Sequence, residues 1–134
     1  MKKAVLTIGV AFVLGLLLTS CGVNAGTTKN ARVVGGDSIK FDAAEIQAAQ
    51  ECVLNKFKDF EGCDLQKLWY DEEISGAMYG VDNVNGIVIL SNFHVNAKGG
   101  DGSFNPNSDY SGWKWLLTRD SRTGSWDIKD WGYG

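Results

Sequence analysis

Residues 41–60 carry one apolar stripe at helical spacing, and a chain with a single such stripe needs a second layer to bury it against. Ile46, Ala49, Val53, Phe57 and Phe60 recur every three to four positions, which places them on one face of a helix. The start is marked locally. Asp42 is suited to cap, Glu45 stands at the third helical position for a capping box, and Phe41 with Ile46 has the spacing of a hydrophobic staple. Lys56 and Lys58 complement the dipole near the end. The spacing predicts a helix over 42–59, and a sheet with one apolar face is the simplest cover for it.

The remaining residues supply strands. Asn85-Gly86 is a tight-turn dipeptide and predicts a hairpin between 77–83 and 87–96. In the second strand, Ile87, Ile89, Phe93 and Val95 share one face, with Val88, Leu90 and His94 on the other. Trp113, Trp115 and Leu117 alternate in the same way. A turn at 120–124 then leads into a returning strand over 125–131. The stretch CDLQKLWY at 63–70 reads as a short helical turn with Leu65, Leu68 and Trp69 inward. Asp71-Glu72-Glu73 beyond it reads as a solvated turn, since no further carboxylate has cation-ligand spacing beside it, with a cation site or partner contact as the alternative. The glycine-rich loop at 98–109 lacks the lysine–serine pair and following helix of a phosphate-binding loop. The expected class is α+β: an N-terminal amphipathic helix packed on a curved antiparallel sheet.

The first twenty-one residues have a different character. Lys2 and Lys3 precede an uncharged, apolar run at 4–18. As a helix this run reaches only ~22 Å, short of a ~30 Å hydrocarbon core, and it has the pattern of a secretory signal. Leu18-Thr19-Ser20-Cys21 resembles the bacterial lipobox. That resemblance implies cleavage before Cys21 and a diacylglyceryl group on its sulfur. The membrane would then be a partner through lipid, with the protein on the extracytoplasmic face of the cell membrane. One acyl chain holds a protein marginally, whereas two or three on one cysteine hold it stably. The organisation predicted is a signal peptide at 1–20, a lipidated cysteine and flexible tether at 21–36, and one domain at 37–134, long enough for a single core.

Without Lys2 and Lys3, eleven of the 13 basic residues face 16 acidic ones, a net charge of about −5. That balance argues against nucleic acid as a partner and against charge-driven adhesion to anionic lipid. With Cys21 lipidated, Cys52 and Cys63 form an even pair in an exported chain. They are expected to bond as a disulfide, the alternative being two buried reduced thiols. One histidine and dispersed carboxylates imply no metal, and nothing implies a cofactor.

Two segments carry a wider resemblance. The ending WKWLLTR, six residues, then WDIKDWGYG resembles the closing hairpin of the nuclear transport factor 2-like superfamily, whose fold is a cystatin-like α+β roll. Together with FEGCDLQKLWYDE at 60–72, it is similar to a family of small, uncharacterised bacterial lipoproteins, mostly Gram-positive. The resemblance implies a cone whose wide end is a pocket. Trp113, Trp115, Trp126 and Tyr133 are the candidates to line it for a small apolar ligand, with ordinary core packing as the competing reading. Enzymes of the superfamily place an aspartate, tyrosine or histidine in the cone, which nominates His94 with Asp127 or Tyr79. Strand parity, however, points His94 outward. Trp131 breaks the parity of Trp126 and Ile128, so it is expected on the other face or after a bulge, and exposed. Trp131 and His94 are therefore the candidate protein-partner surface. Arg119 and Asp130 are placed for a cross-strand ion pair. The function expected is a membrane-anchored binding or accessory domain without catalysis; the alternatives are a small dehydratase or isomerase using the cone and a structural envelope component.

Overall fold

The computed structural model describes residues 25–133, and within them helix α1 (Ala43–Phe57) starts where its capping residues place it. The Asp42 carboxylate accepts from Glu45 N at 2.8 Å, and the Glu45 carboxylate accepts from Asp42 N at 2.9 Å. The stripe Ile46, Ala49, Val53 and Phe57 is buried, and Phe60 continues it beyond the helix end. Cys21 and the signal segment lie outside the described residues.

The layer that covers the stripe is a five-stranded sheet. Its strands are β1 (Arg32–Val34), β2 (Cys63–Tyr70), β3 (Gly86–Val95), β4 (Asp109–Thr118) and β5 (Asp127–Gly132), adjacent in chain order. All neighbours pair antiparallel except β1, which runs parallel to β2, so the sheet is mixed rather than antiparallel. Ile87, Ile89, Phe93 and Val95 face the core as their alternation predicts, alongside Leu65, Leu68, Trp115 and Leu117.

Three elements differ from the sequence reading. The segment at 22–36 was expected as a tether, yet its described part is docked. Gly26 N donates to Lys58 O at 3.0 Å, Thr27 N to Cys63 O at 2.9 Å, and Leu65 N to Thr27 O at 2.9 Å. Gln50 Nε2 donates to Val34 O at 2.8 Å. The folded unit thus includes the chain from Gly26 rather than starting near Asp37. Backbone pairing holds it, and small polar side chains leave no periodic trace of that.

Residues 63–70 form a strand rather than a helical turn. A bulge between Leu65 and Lys67 shifts the parity, so Leu65 and Leu68 both face the core at a spacing that imitates a helix. The predicted strand at 77–83 is replaced by helix α2 (Glu72–Tyr79), capped by the Asp71 carboxylate on Ile74 N at 3.0 Å. Asn85-Gly86 therefore leads into β3 instead of turning a hairpin. Helix α2 packs against β3, where a Cβ on Gly86 would stand 2.5 Å from the Tyr79 ring. Val88 and Leu90, on the strand face away from α1, are buried as well.

Candidate functional site

The four aromatics proposed for one pocket occupy three different places. Trp115 is fully buried, its Nε1 donating to Ser91 Oγ at 2.9 Å. Its ring lies 5.0 Å from that of Phe60 and 6.4 Å from that of Phe57. All three rings belong to the buried core. Trp126 lies beside the N-terminal half of α1. Trp113 and Tyr133 lie at the opposite end of β4, with rings 5.3 Å apart.

Trp126 borders a cleft of about 440 Å³, together with Asp42, Glu45, Glu51, Cys52 and Arg119. Arg119, at the end of β4, does not pair with Asp130. Its Nη2 donates to Glu45 Oε2 at 2.6 Å and to Val84 O at 2.7 Å, and its guanidinium carbon lies 4.1 Å from the Trp126 ring centre. Arg122 from the following turn donates to Glu45 Oε1 at 3.1 Å and to Lys40 O at 2.8 Å. Trp126 Nε1 donates to Glu45 O at 3.1 Å. Burial pushes the Glu45 carboxyl up, but the Asp42 N–H and the two guanidinium groups outweigh it and hold the carboxyl below its ordinary value. Both arginines are thus committed to Glu45 and backbone carbonyls. The cleft is a latch tying the β4–β5 turn to α1, not an open anion site.

The second place is an aromatic end. The register shift between Leu116 and Leu117 pairs Asp130 with Leu116 and Ile128 with Leu117, leaving Lys129 as the extra residue. That bulge returns Trp131 to the core face opposite Trp115, with ring centres 5.8 Å apart. The Trp131 ring also lies 5.8 Å from that of Phe60, and Lys56 Nζ stands 5.3 Å from its centre. It remains 40% exposed, as expected for a tryptophan after a bulge. Tyr133, 52% exposed, stacks on Tyr110 at 6.1 Å. Phe104, from the loop at 98–109, packs against Phe60, Phe93 and Trp113. A groove of about 200 Å³ runs between Trp131, Phe104, Lys56, Asp59, Asp101 and Ser103.

His94 does not join either place. It meets Asp109, Nδ1 to Oδ1 at 2.7 Å, rather than Asp127 or Tyr79. Alternation along β3 sets it on the sheet face away from Phe93, so Trp131 and His94 do not share one surface. The disulfide is not formed. Cys52 and Cys63 are free thiols, Cys52 Sγ donating to Trp126 O at 3.1 Å and Cys63 Sγ to Glu61 O at 3.6 Å. The two face different surroundings: Cys52 flanks the cleft, whereas Cys63 starts a strand on the core face. Burial, then the Asp101 charge, pushes the Cys63 thiol up to about 11.

Sequence reasoning missed Glu72, which was assigned to a solvated turn. It accepts from Ser38 Oγ, from Tyr70 Oη at 2.7 Å and from Ile39 N at 3.0 Å, fastening the segment before α1 to the end of β2. It missed Glu45 as an ion-pair centre too, although the capping position had already singled that residue out. Among the described residues no group of three His, Cys, Asp or Glu is placed to hold a metal ion, and no helix is long and apolar enough to cross a membrane. No protein-family model, curated protein or solved structure matches the chain, so its function is read from its own geometry.

Proposed function

We propose that this chain is a lipid-anchored extracytoplasmic domain that binds through its surface in an accessory role, rather than an enzyme with an interior site. The observation that carries this reading is where the aromatic side chains stop being covered. The core is packed solid through Trp115, Phe57 and Phe60, while Trp131 and Tyr133 continue the same aromatic cluster into solvent. A cystatin-like roll belongs to the reading: α1 lies on the core face of a sheet in simple strand order, as that fold requires. Here the cone is occupied by side chains, and that favours surface binding over the dehydratase or isomerase alternative.

The test has two parts in one set of cells. Mass spectrometry of the full chain extracted from membranes should find the mature protein beginning at Cys21 with a diacylglyceryl thioether, and Cys21→Ser should leave the precursor unprocessed. A photo-cross-linking residue at Tyr133 should then yield a discrete covalent adduct in intact cells. A mature chain without lipid overturns the anchor, and a chain that forms no adduct overturns the binding surface.

A further inference from the structure

We infer that the end of the domain bearing Trp131 and Tyr133 rests on the headgroup layer of the bilayer that holds Cys21, with the Arg119–Trp126 cleft pointing away from it. This names the partner of the surface proposed above, and it rests on lipidation of Cys21.

The first argument is the length of chain available. Gly26 is fixed to the folded unit, its N–H donating to Lys58 O at 3.0 Å. A Cβ there would stand 2.1 Å from Phe57 O and 2.8 Å from Phe60 O, so only glycine allows this close seat at the end of α1. From Cys21 to Gly26 the chain has five Cα steps, at most about 18 Å when fully extended. A domain of this size is roughly 34 Å across. The anchor therefore cannot bring the opposite end of the domain to the bilayer.

The second argument is what else lies at that end. β2 leaves it at Cys63, which pairs with Val95, and β4 enters there at Asp109. β5 pairs Trp131 with Trp115, six positions along β4 from Asp109, and Tyr133 lies back beside Trp113 and Tyr110. Phe60, adjacent to the Gly26 seat, touches Trp131 directly. The exposed tryptophan and tyrosine thus flank the attachment point. Trp126, at the far end, is covered. Ile39 and Val81, both exposed, lie beside α2, Ile39 N bonded to Glu72 and Val81 against Gly76.

The third argument is chemical. Tryptophan and tyrosine present an apolar ring and a polar edge, and both concentrate at the membrane–water boundary. Lys56 stands near Trp131, but Asp59 and Asp101 of the same groove offset it. The surface has no basic excess, so it suits the neutral interfacial zone rather than an anionic headgroup. It adds little affinity to a diacylated cysteine; its effect is orientation. The latch cleft and the turn at 120–124 are then held outward.

The experiment uses the full lipidated chain, purified from membranes and reconstituted into phosphatidylcholine vesicles brominated near the headgroup end of the acyl chains. Bromine should quench tryptophan fluorescence, and Trp131→Phe should retain about a third or less of the wild-type quenching. Trp126→Phe, removing the covered ring beside the N-terminal half of α1, should be quenched like wild type. Circular dichroism melting verifies that both variants fold. Equal quenching in Trp131→Phe, or none in wild type carrying lipid at Cys21 by mass spectrometry, overturns the orientation while leaving the anchor intact. The same holds if Tyr133 cross-links a protein in cells and the vesicle-bound chain is unquenched. Protein without lipid on Cys21 overturns the anchor and this inference together.

Discussion

Replacing Glu45 with alanine tests the latch most directly. In the folded chain the Arg119 side chain is 2% exposed and its guanidinium is held by Glu45 Oε2 at 2.6 Å. Removing one partner of a buried ion pair costs about 3–5 kcal/mol, because the other charge is left without compensation. Arg119 would keep Val84 O and the Trp126 face, which places the loss at the low end, about 3 kcal/mol. Loss of the capping-box bond to Asp42 N adds up to about 1 kcal/mol, partly offset by the helix propensity of alanine. At roughly 4 °C per kcal/mol for a domain of this length, Tm should fall by about 12 °C.

Thermal and urea melts of the soluble chain beginning at Gly22 provide the measurement. Arg119→Met serves as the second arm of a double-mutant cycle. With the charge gone, Glu45→Ala should cost much less in the Arg119→Met background than in wild type, a coupling of about 2 kcal/mol. A Tm for Glu45→Ala within about 3 °C of wild type, or strictly additive losses, would refute the latch. The pH dependence has a definite sign. Although burial opposes it, the folded-state carboxyl lies below the ordinary value of 4.5, so its stabilisation is complete above that pH and is lost as pH falls through the lower folded value. Glu45→Gln, which keeps the capping geometry, should flatten this acid limb.

At the alkaline side Tyr70 is pushed to about 12, by burial first and by the Glu72 carboxylate second. Stability from the neutral phenol is therefore complete below its ordinary 10.0 and lost as pH rises through about 12; absorbance titration that finds every tyrosine ionising together near 10 would contradict this. Denatured without reductant, the mature chain should expose two reactive thiols, and in the folded state half-buried Cys52 should label before Cys63; a chain with neither thiol reactive would restore the disulfide. Gly26→Ala should destabilise by about 2 kcal/mol by forcing the chain off the Phe57 and Phe60 carbonyls, whereas an unchanged Tm would mean that this segment is not docked.

What was legible in the sequence was local. The capping box involves residues three apart, and the core face of β3 repeats every second residue, so both are visible in a short window. What was not legible depends on partners far along the chain. β1 is exposed on every residue and exists because its backbone pairs with residues 67–69, leaving no side-chain pattern to find. Ala77, Met78 and Tyr79 suit a strand or a helix equally, and the Asp71 cap decides for α2. The latch joins Glu45 to Arg119 across 74 positions, and in the sequence Arg119 has a nearer carboxylate, Asp130, that the fold turns elsewhere.

The three register shifts connect these failures to the surface that matters. Each occurs where strict alternation would send an apolar side chain to the wrong face: at Leu65/Lys67 in β2, at Ser91/Phe93 against β4, and at Leu116/Leu117 against β5. The second brings Tyr110 into line with Trp113, through Gly112 at φ 72°, and the third brings Trp131 into line with Trp115. Without them Tyr110 and Trp131 would leave the core face, and the aromatic cluster would lose both rings. With them the cluster extends past the end of α1, which is too short to cover it. The first irregularity hid β2 from sequence reasoning; the second and third bring Tyr110 and Trp131 to the exposed aromatic end, where Phe60 joins Trp131 to the Gly26 seat and the chain leads back to Cys21.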